Sequence, residues 1–128
     1  MTVWLTPEWV DAVRSEAGGL EGPPTVSGTV QVDVTGTADG DTVVHVTFDL
    51  GRLVAAGVGP VDEPDAVISL SEEDARAVLV GMLDPSVAFM RGTMKVTGDT
   101  GLVIDLLALS ATDGARARRE RVAGLTMD

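Results

Sequence analysis

Hydrophobic and polar positions alternate strictly through residues 26–34: Val26, Gly28, Val30, Val32 and Val34 share one parity and Ser27, Thr29, Gln31 and Asp33 the other. A period of two marks a strand with one buried face. Asp39-Gly40 signals a turn, and residues 42–51 form a second strand with Val44, Val46, Phe48 and Leu50 on one face. Residues 52–59 and 66–70 predict two shorter strands, separated by a loop with two prolines, Pro60 and Pro64. The expected arrangement is an antiparallel meander, apolar on one side only, so another layer must cover that side.

Helical spacing brackets these strands. Residues 4–19 predict a first helix, with Thr6 as cap, Pro7 in the first helical position and Gly18-Gly19 as the stop. Trp9, Val10 and Val13 supply its modest apolar stripe. Ser71 opens a second helix over residues 71–83, with Asp74 completing an acidic variant of the capping box. Ala75, Val78, Leu79, Met82 and Leu83 recur on one face of it. Asp84-Pro85 restarts a short helix that ends at Gly92, and residues 93–97 form a fifth strand with Met94 and Val96 on one face. Residues 98–112 are dense in apolar side chains and fit either a buried strand or a helix capped by Asp99. A last amphipathic helix spans roughly 112–123. The fold class that follows is α+β: one mostly antiparallel sheet with helices packed over one face.

Composition narrows the function classes. At 128 residues the chain is expected to be a single domain, 1–128. Its net charge of −11 repels nucleic-acid phosphates and anionic headgroups. Nucleic acid is therefore not an expected partner, nor is stable membrane insertion, since no apolar run approaches about 18 residues. The chain contains no cysteine, which excludes disulfides, zinc–thiolate sites and thiol catalysis. Its start lacks a basic, apolar signal pattern, and a cytoplasmic location is expected. Charge is uneven along the chain: the bases after residue 111 are Arg116, Arg118, Arg119 and Arg121. They are read as the polar face of the last helix, paired with acidic neighbours.

Candidate chemistry is sparse. The single histidine, His45, has the parity of the polar strand face and is read as a solvated side chain. No serine sits in G-x-S-x-G. Neither Glu72-Glu73-Asp74 nor the Asp62, Glu63, Asp65 group has the spacing of a calcium loop. The glycine-rich stretch 91–101 lacks both G-x-x-x-x-G-K-[ST] and G-x-G-x-x-G, and Asp99 would set a carboxylate where phosphate should lie. No catalytic residue, metal site or cofactor is expected, and the chain is read as not an enzyme.

Residues 68–102 carry a resemblance. Leu70-Ser71 followed by Glu73-Asp74 opens a helix, and Gly81, Leu83, Pro85, Ala88, Phe89, Gly92, Val96, Gly98, Asp99, Gly101 and Leu102 fall at matching spacing, with Met94 replacing a leucine. This pattern resembles the sterol carrier protein 2 domain. The resemblance implies a twisted five-stranded sheet with helices enclosing an apolar tunnel, and a helix after Gly101 lining it. It also implies that the chain carries an apolar small molecule such as a sterol, a fatty acid or another lipid. Combined with the apolar pattern, it suggests Phe48, Val78, Met82, Phe89, Met90, Met94, Leu102, Leu106 and Leu107 as tunnel lining, with Asp105 in the same segment. The second reading is a non-catalytic interaction or accessory module with a closed core, forming a homodimer or docking on an enzyme partner.

Overall fold

The computed structural model describes residues 2–127. In chain order they form β1 (Thr2–Val3), α1 (Pro7–Ala17), β2 (Gly28–Thr37), β3 (Gly40–Asp49), β4 (Arg52–Val58), β5 (Ala66–Ser71), α2 (Glu72–Leu79), α3 (Pro85–Arg91), β6 (Lys95–Gly98), α4 (Thr100–Ser110), α5 (Asp113–Gly124) and β7 (Thr126–Met127). The architecture is α+β, as the patterning implies. Five strands make one sheet in the order β4-β3-β2-β5-β6, and β1 pairs with β7 in a separate two-stranded ribbon.

The expected caps are present. Thr6 Oγ1 accepts from Trp9 N at 3.3 Å, Ser71 Oγ from Asp74 N at 3.1 Å and Asp99 Oδ1 from Leu102 N at 3.0 Å. Each satisfies an N–H that the first helical turn leaves unpaired. The ambiguous segment is thus the helix α4, with Leu102, Val103 and Leu109 buried.

The sheet is mixed rather than a pure meander. β2 pairs with β3 antiparallel and with β5 parallel. The chain leaves β4 at one edge and crosses to the far side of β2, so β5 enters in the direction of β2. This crossing passes over the polar face of the sheet. His45 Nδ1 lies 2.8 Å from the Gly59 carbonyl, Val61 N donates to Gln31 Oε1 at 3.2 Å, and Thr29 N donates to Asp65 Oδ2 at 2.7 Å. His45 is therefore half-buried beneath the crossing loop rather than solvated. Its ring also covers Gly57, where a Cβ would come 2.8 Å from it.

Leu50 departs from the pattern as well. It sits in the two-residue turn between β3 and β4, 65 % exposed, at φ 49°, with Gly51 at φ 88°. Positive φ at both central residues is the requirement of a type I′ turn, which favours Asn-Gly. A left-handed leucine costs about 1–2 kcal/mol, and asparagine tolerates that region better. Leu50→Asn should therefore raise the thermal midpoint by several degrees. An unchanged or lowered midpoint in a scanning calorimeter would show that this turn carries no such strain.

Two core clusters meet beneath the helices. One gathers Trp4, Leu5, Val10, Val34, Val44, Leu70, Ala88 and Met94. The other gathers Val26, Val30, Ala66, Leu102 and Val103.

Candidate functional site

Between the apolar sheet face and the helices lies a cavity of about 420 Å³. Such a volume falls in the range of roughly 300–1,000 Å³ usual for small-ligand sites. Its floor is the face set by strand parity: Val30, Val32 and Val34 of β2, Val44, Val46 and Phe48 of β3, Leu53 of β4, and Ile68 and Leu70 of β5. Its walls are Trp9 and Val13 of α1, Ala75, Val78 and Leu79 of α2, Val103, Leu106, Leu107 and Leu109 of α4, and Ala115 and Val122 of α5. Trp4, Leu5 and Met94 complete the apolar lining.

Five of the nine suggested lining residues reach this cavity: Phe48, Val78, Met94, Leu106 and Leu107. The other four do not. Met82 and Met90 are each 84 % exposed. Helical spacing cannot carry Met82 inward, because α2 ends at Leu79. Gly81, at φ 80°, closes a Schellman motif in which Gly81 N donates to Val78 O and Met82 N to Ala77 O. Met90 belongs to the seven-residue α3, whose fully buried residue is Ala88. Phe89 packs half-buried against the first core cluster, and Leu102 is buried within the second. Asp105 is half-buried and outside the cavity wall.

The tryptophans were the larger omission among apolar residues. Trp4 and Trp9 meet edge-to-face with centroids 4.9 Å apart, and Arg76 stacks over Trp4 at 4.9 Å. Trp9 Nε1 donates to Thr126 Oγ1 at 2.8 Å, tying α1 to β7.

One end of the cavity is polar, which the sequence reading missed entirely. Glu16, Ser110, Arg118 and Arg119 line it there. The signal existed: Ala115, Arg118, Arg119 and Val122 recur at helical spacing, so two arginines share the inward face of α5 with two buried apolar residues. Arg121, by contrast, pairs with Glu16 at 2.8 Å, as expected of an acidic host. Arg119 Nη1 donates to the Ser110 carbonyl at 2.7 Å. Burial lowers the pKa of Arg119, neighbouring Arg116 lowers it further, and Asp84 acts in the opposite direction. Two buried side-chain nitrogens lack a hydrogen-bond partner among the described residues, Trp4 Nε1 and Arg118 Nε. Both belong to residues of the cavity wall. Beside this end runs a second hollow of about 430 Å³, lined by Asp84, Arg116 and Glu120 among others, which shares Leu79, Pro85, Ser110 and Arg119 with the cavity.

Comparison with known proteins adds to this geometry. A profile described as the SCP-2 sterol transfer family matches residues 21–110. "Hydroxysteroid dehydrogenase-like protein 2" of Danio rerio is 33 % identical over 88 residues, which cover 68 % of this chain and 20 % of that protein. The chain thus spans about a fifth of the length of that relative. A crystal structure of sterol carrier protein 2 superposes with a TM-score of 0.69 at 22 % identity, covering 94 % of this chain and 97 % of the other. The solution structure of palmitated SCP2L2 from Aedes aegypti gives a TM-score of 0.68 at 24 % identity, covering 81 % of this chain and 92 % of that one. Both likenesses establish the fold.

Proposed function

Since the chain belongs to the SCP-2 sterol transfer family, we propose that it is a non-catalytic lipid carrier that holds one apolar ligand in the cavity between the sheet and α1, α2, α4 and α5. The family supports a lipid-binding or transfer domain in general terms. The observation that carries the specific reading is the cavity, whose floor and most of whose walls are aliphatic or aromatic side chains. Burial of each methylene contributes about 0.8 kcal/mol, so about ten would supply roughly 8 kcal/mol before binding costs. Micromolar affinity then needs no polar anchor. In this reading Phe48, Val78, Met94, Leu106 and Leu107 contact the ligand, and Trp4 and Trp9 join them. The neighbouring structure described as palmitated makes a fatty acid one candidate, and the family description makes a sterol another. The carrier is proposed to be cytoplasmic. Among the described residues no helix is long and apolar enough to cross a membrane.

Native mass spectrometry of gently purified protein tests this directly. The expected spectrum contains the chain plus the mass of one lipid. A chain that stays bare after incubation with fatty acids and sterols would overturn the proposal. Both tryptophans line the cavity, so ligand entry should also shift their fluorescence.

One observation favours a second reading, an accessory module that docks on an enzyme. The Danio rerio relative is about five times longer than the matched segment, and Val80, Met82, Val87 and Met90 present exposed apolar side chains around α3. The same spectra would favour it if bare dimers or partner complexes dominated.

A further inference from the structure

An apolar cavity alone selects for length and girth, but this one contains a group that apolar ligands leave unsatisfied. Arg118 lines its polar end. The Nη1 of that guanidinium donates to the Gly114 carbonyl at 3.0 Å. Its Nε is buried without an acceptor, and its Nη2 lies against Gly19 beyond the end of α1, where a Cβ would come 3.4 Å away. Buried donors are nearly always paired in folded proteins, and an orphan in an otherwise apolar wall calls for an explanation. The Nε and Nη2 groups form one edge of the planar guanidinium, the fork that matches the two oxygens of a carboxylate.

Resting on the carrier reading above, we propose that Arg118 is the headgroup anchor of this cavity and that the ligand is a single-chain amphiphile with a carboxylate head, its tail running over Leu106, Phe48 and Met94. The surrounding charges suit an anion. Glu16, the one carboxylate in the cavity wall, is already neutralised by Arg121. Arg119 adds a second cation at the same end, and its burial beside Arg116 leaves positive charge there that an incoming carboxylate would compensate. Two bonds from one edge, both charge-assisted, fix the head while the apolar tail supplies most of the affinity. The anchor therefore acts on specificity: it discriminates fatty acids from neutral lipids of equal length.

Tryptophan-fluorescence titrations with palmitate and hexadecanol, which share a tail and differ in the head, separate the possibilities. The wild-type protein should bind palmitate about tenfold or more tightly than hexadecanol, the scale of a hydrogen-bonded charge pair. Arg118→Met should erase that preference while leaving hexadecanol affinity within about threefold of wild type, a change of well under 1.4 kcal/mol. Should Arg118→Met not fold, Arg118→Gln, which keeps a donor but no charge, reads the same comparison. Equal affinity for both ligands in the wild type, or a preference that survives either substitution, would overturn the anchor and leave the cavity reading intact. Binding of neither ligand would sink the cavity reading and the anchor with it.

Discussion

Leu106→Asp abolishes measurable uptake of a fluorescent fatty acid, lowering affinity by about a hundredfold or more, whereas Met82→Asp leaves it within about twofold. The two substitutions are chemically identical. Both residues belong to the set that apolar patterning and family resemblance suggest as lining. They differ in where the backbone delivers them. Leu106 sits on α4 and faces the cavity beside Val103 and Leu107. A carboxylate there must be buried in an aliphatic wall or protonated, and a partly desolvated charge costs several kcal/mol. Met82 stands past the Schellman motif of α2, 84 % exposed, where an aspartate remains hydrated. Titration of the labelled fatty acid, with circular dichroism to confirm that both variants fold, gives the answer. Equal loss at both positions would place Met82 at the ligand, against this geometry. Unchanged binding in a folded Leu106→Asp protein would show that the ligand occupies some other place.

The contrast shows what local pattern can carry. Strand parity assigned Val30, Val34, Val44, Val46 and Phe48 to one face without reference to any neighbour, and that face is the cavity floor. Caps at Thr6, Ser71 and Asp99 are equally local, since a side-chain oxygen meets an N–H a few residues on. The parallel entry of β5 is not local. Nothing within residues 59–65 says that the chain must cross the polar face to reach β2, and the groups that hold the crossing, His45 and Gln31, lie far away in sequence. Met82 failed for a different reason: the periodic run was continued through Gly81, although a glycine after an apolar helical face is itself a stop signal. The two arginines of the cavity were legible in principle. Their charge directed attention to solvent, while the spacing from Ala115 to Val122 pointed inward.

A second large effect is expected where the chain touches itself at a turn. Gly51→Ala should lower stability by about 4 kcal/mol and the thermal midpoint by roughly 10–20 °C. Gly51 has φ 88°, and a Cβ there would lie 2.1 Å from the Gly22 carbonyl oxygen and 2.9 Å from that of Pro23. Both contacts are with backbone, so no rotamer change relieves them. The left-handed conformation alone costs an alanine about 1–2 kcal/mol, and overpacking typically adds about 1–3. The same approach makes two hydrogen bonds, Gly22 N to Gly51 O at 2.8 Å and Gly51 N to Val26 O at 2.9 Å. Moving the strands apart to admit a methyl group weakens both. Gly51 also belongs to the cavity wall, as does Leu20 in the segment just before Gly22, so the variant should lose lipid affinity along with stability. Paired melts of Gly51→Ala and Leu50→Asn separate the contributions of the turn. Opposite shifts of the midpoint are expected from adjacent residues, because one substitution relieves a left-handed side chain and the other creates one against a wall. A Gly51→Ala midpoint within about 3 °C of wild type would show that residues 22–26 can lift off the β3–β4 turn at little cost, and that the cavity is not closed at this corner.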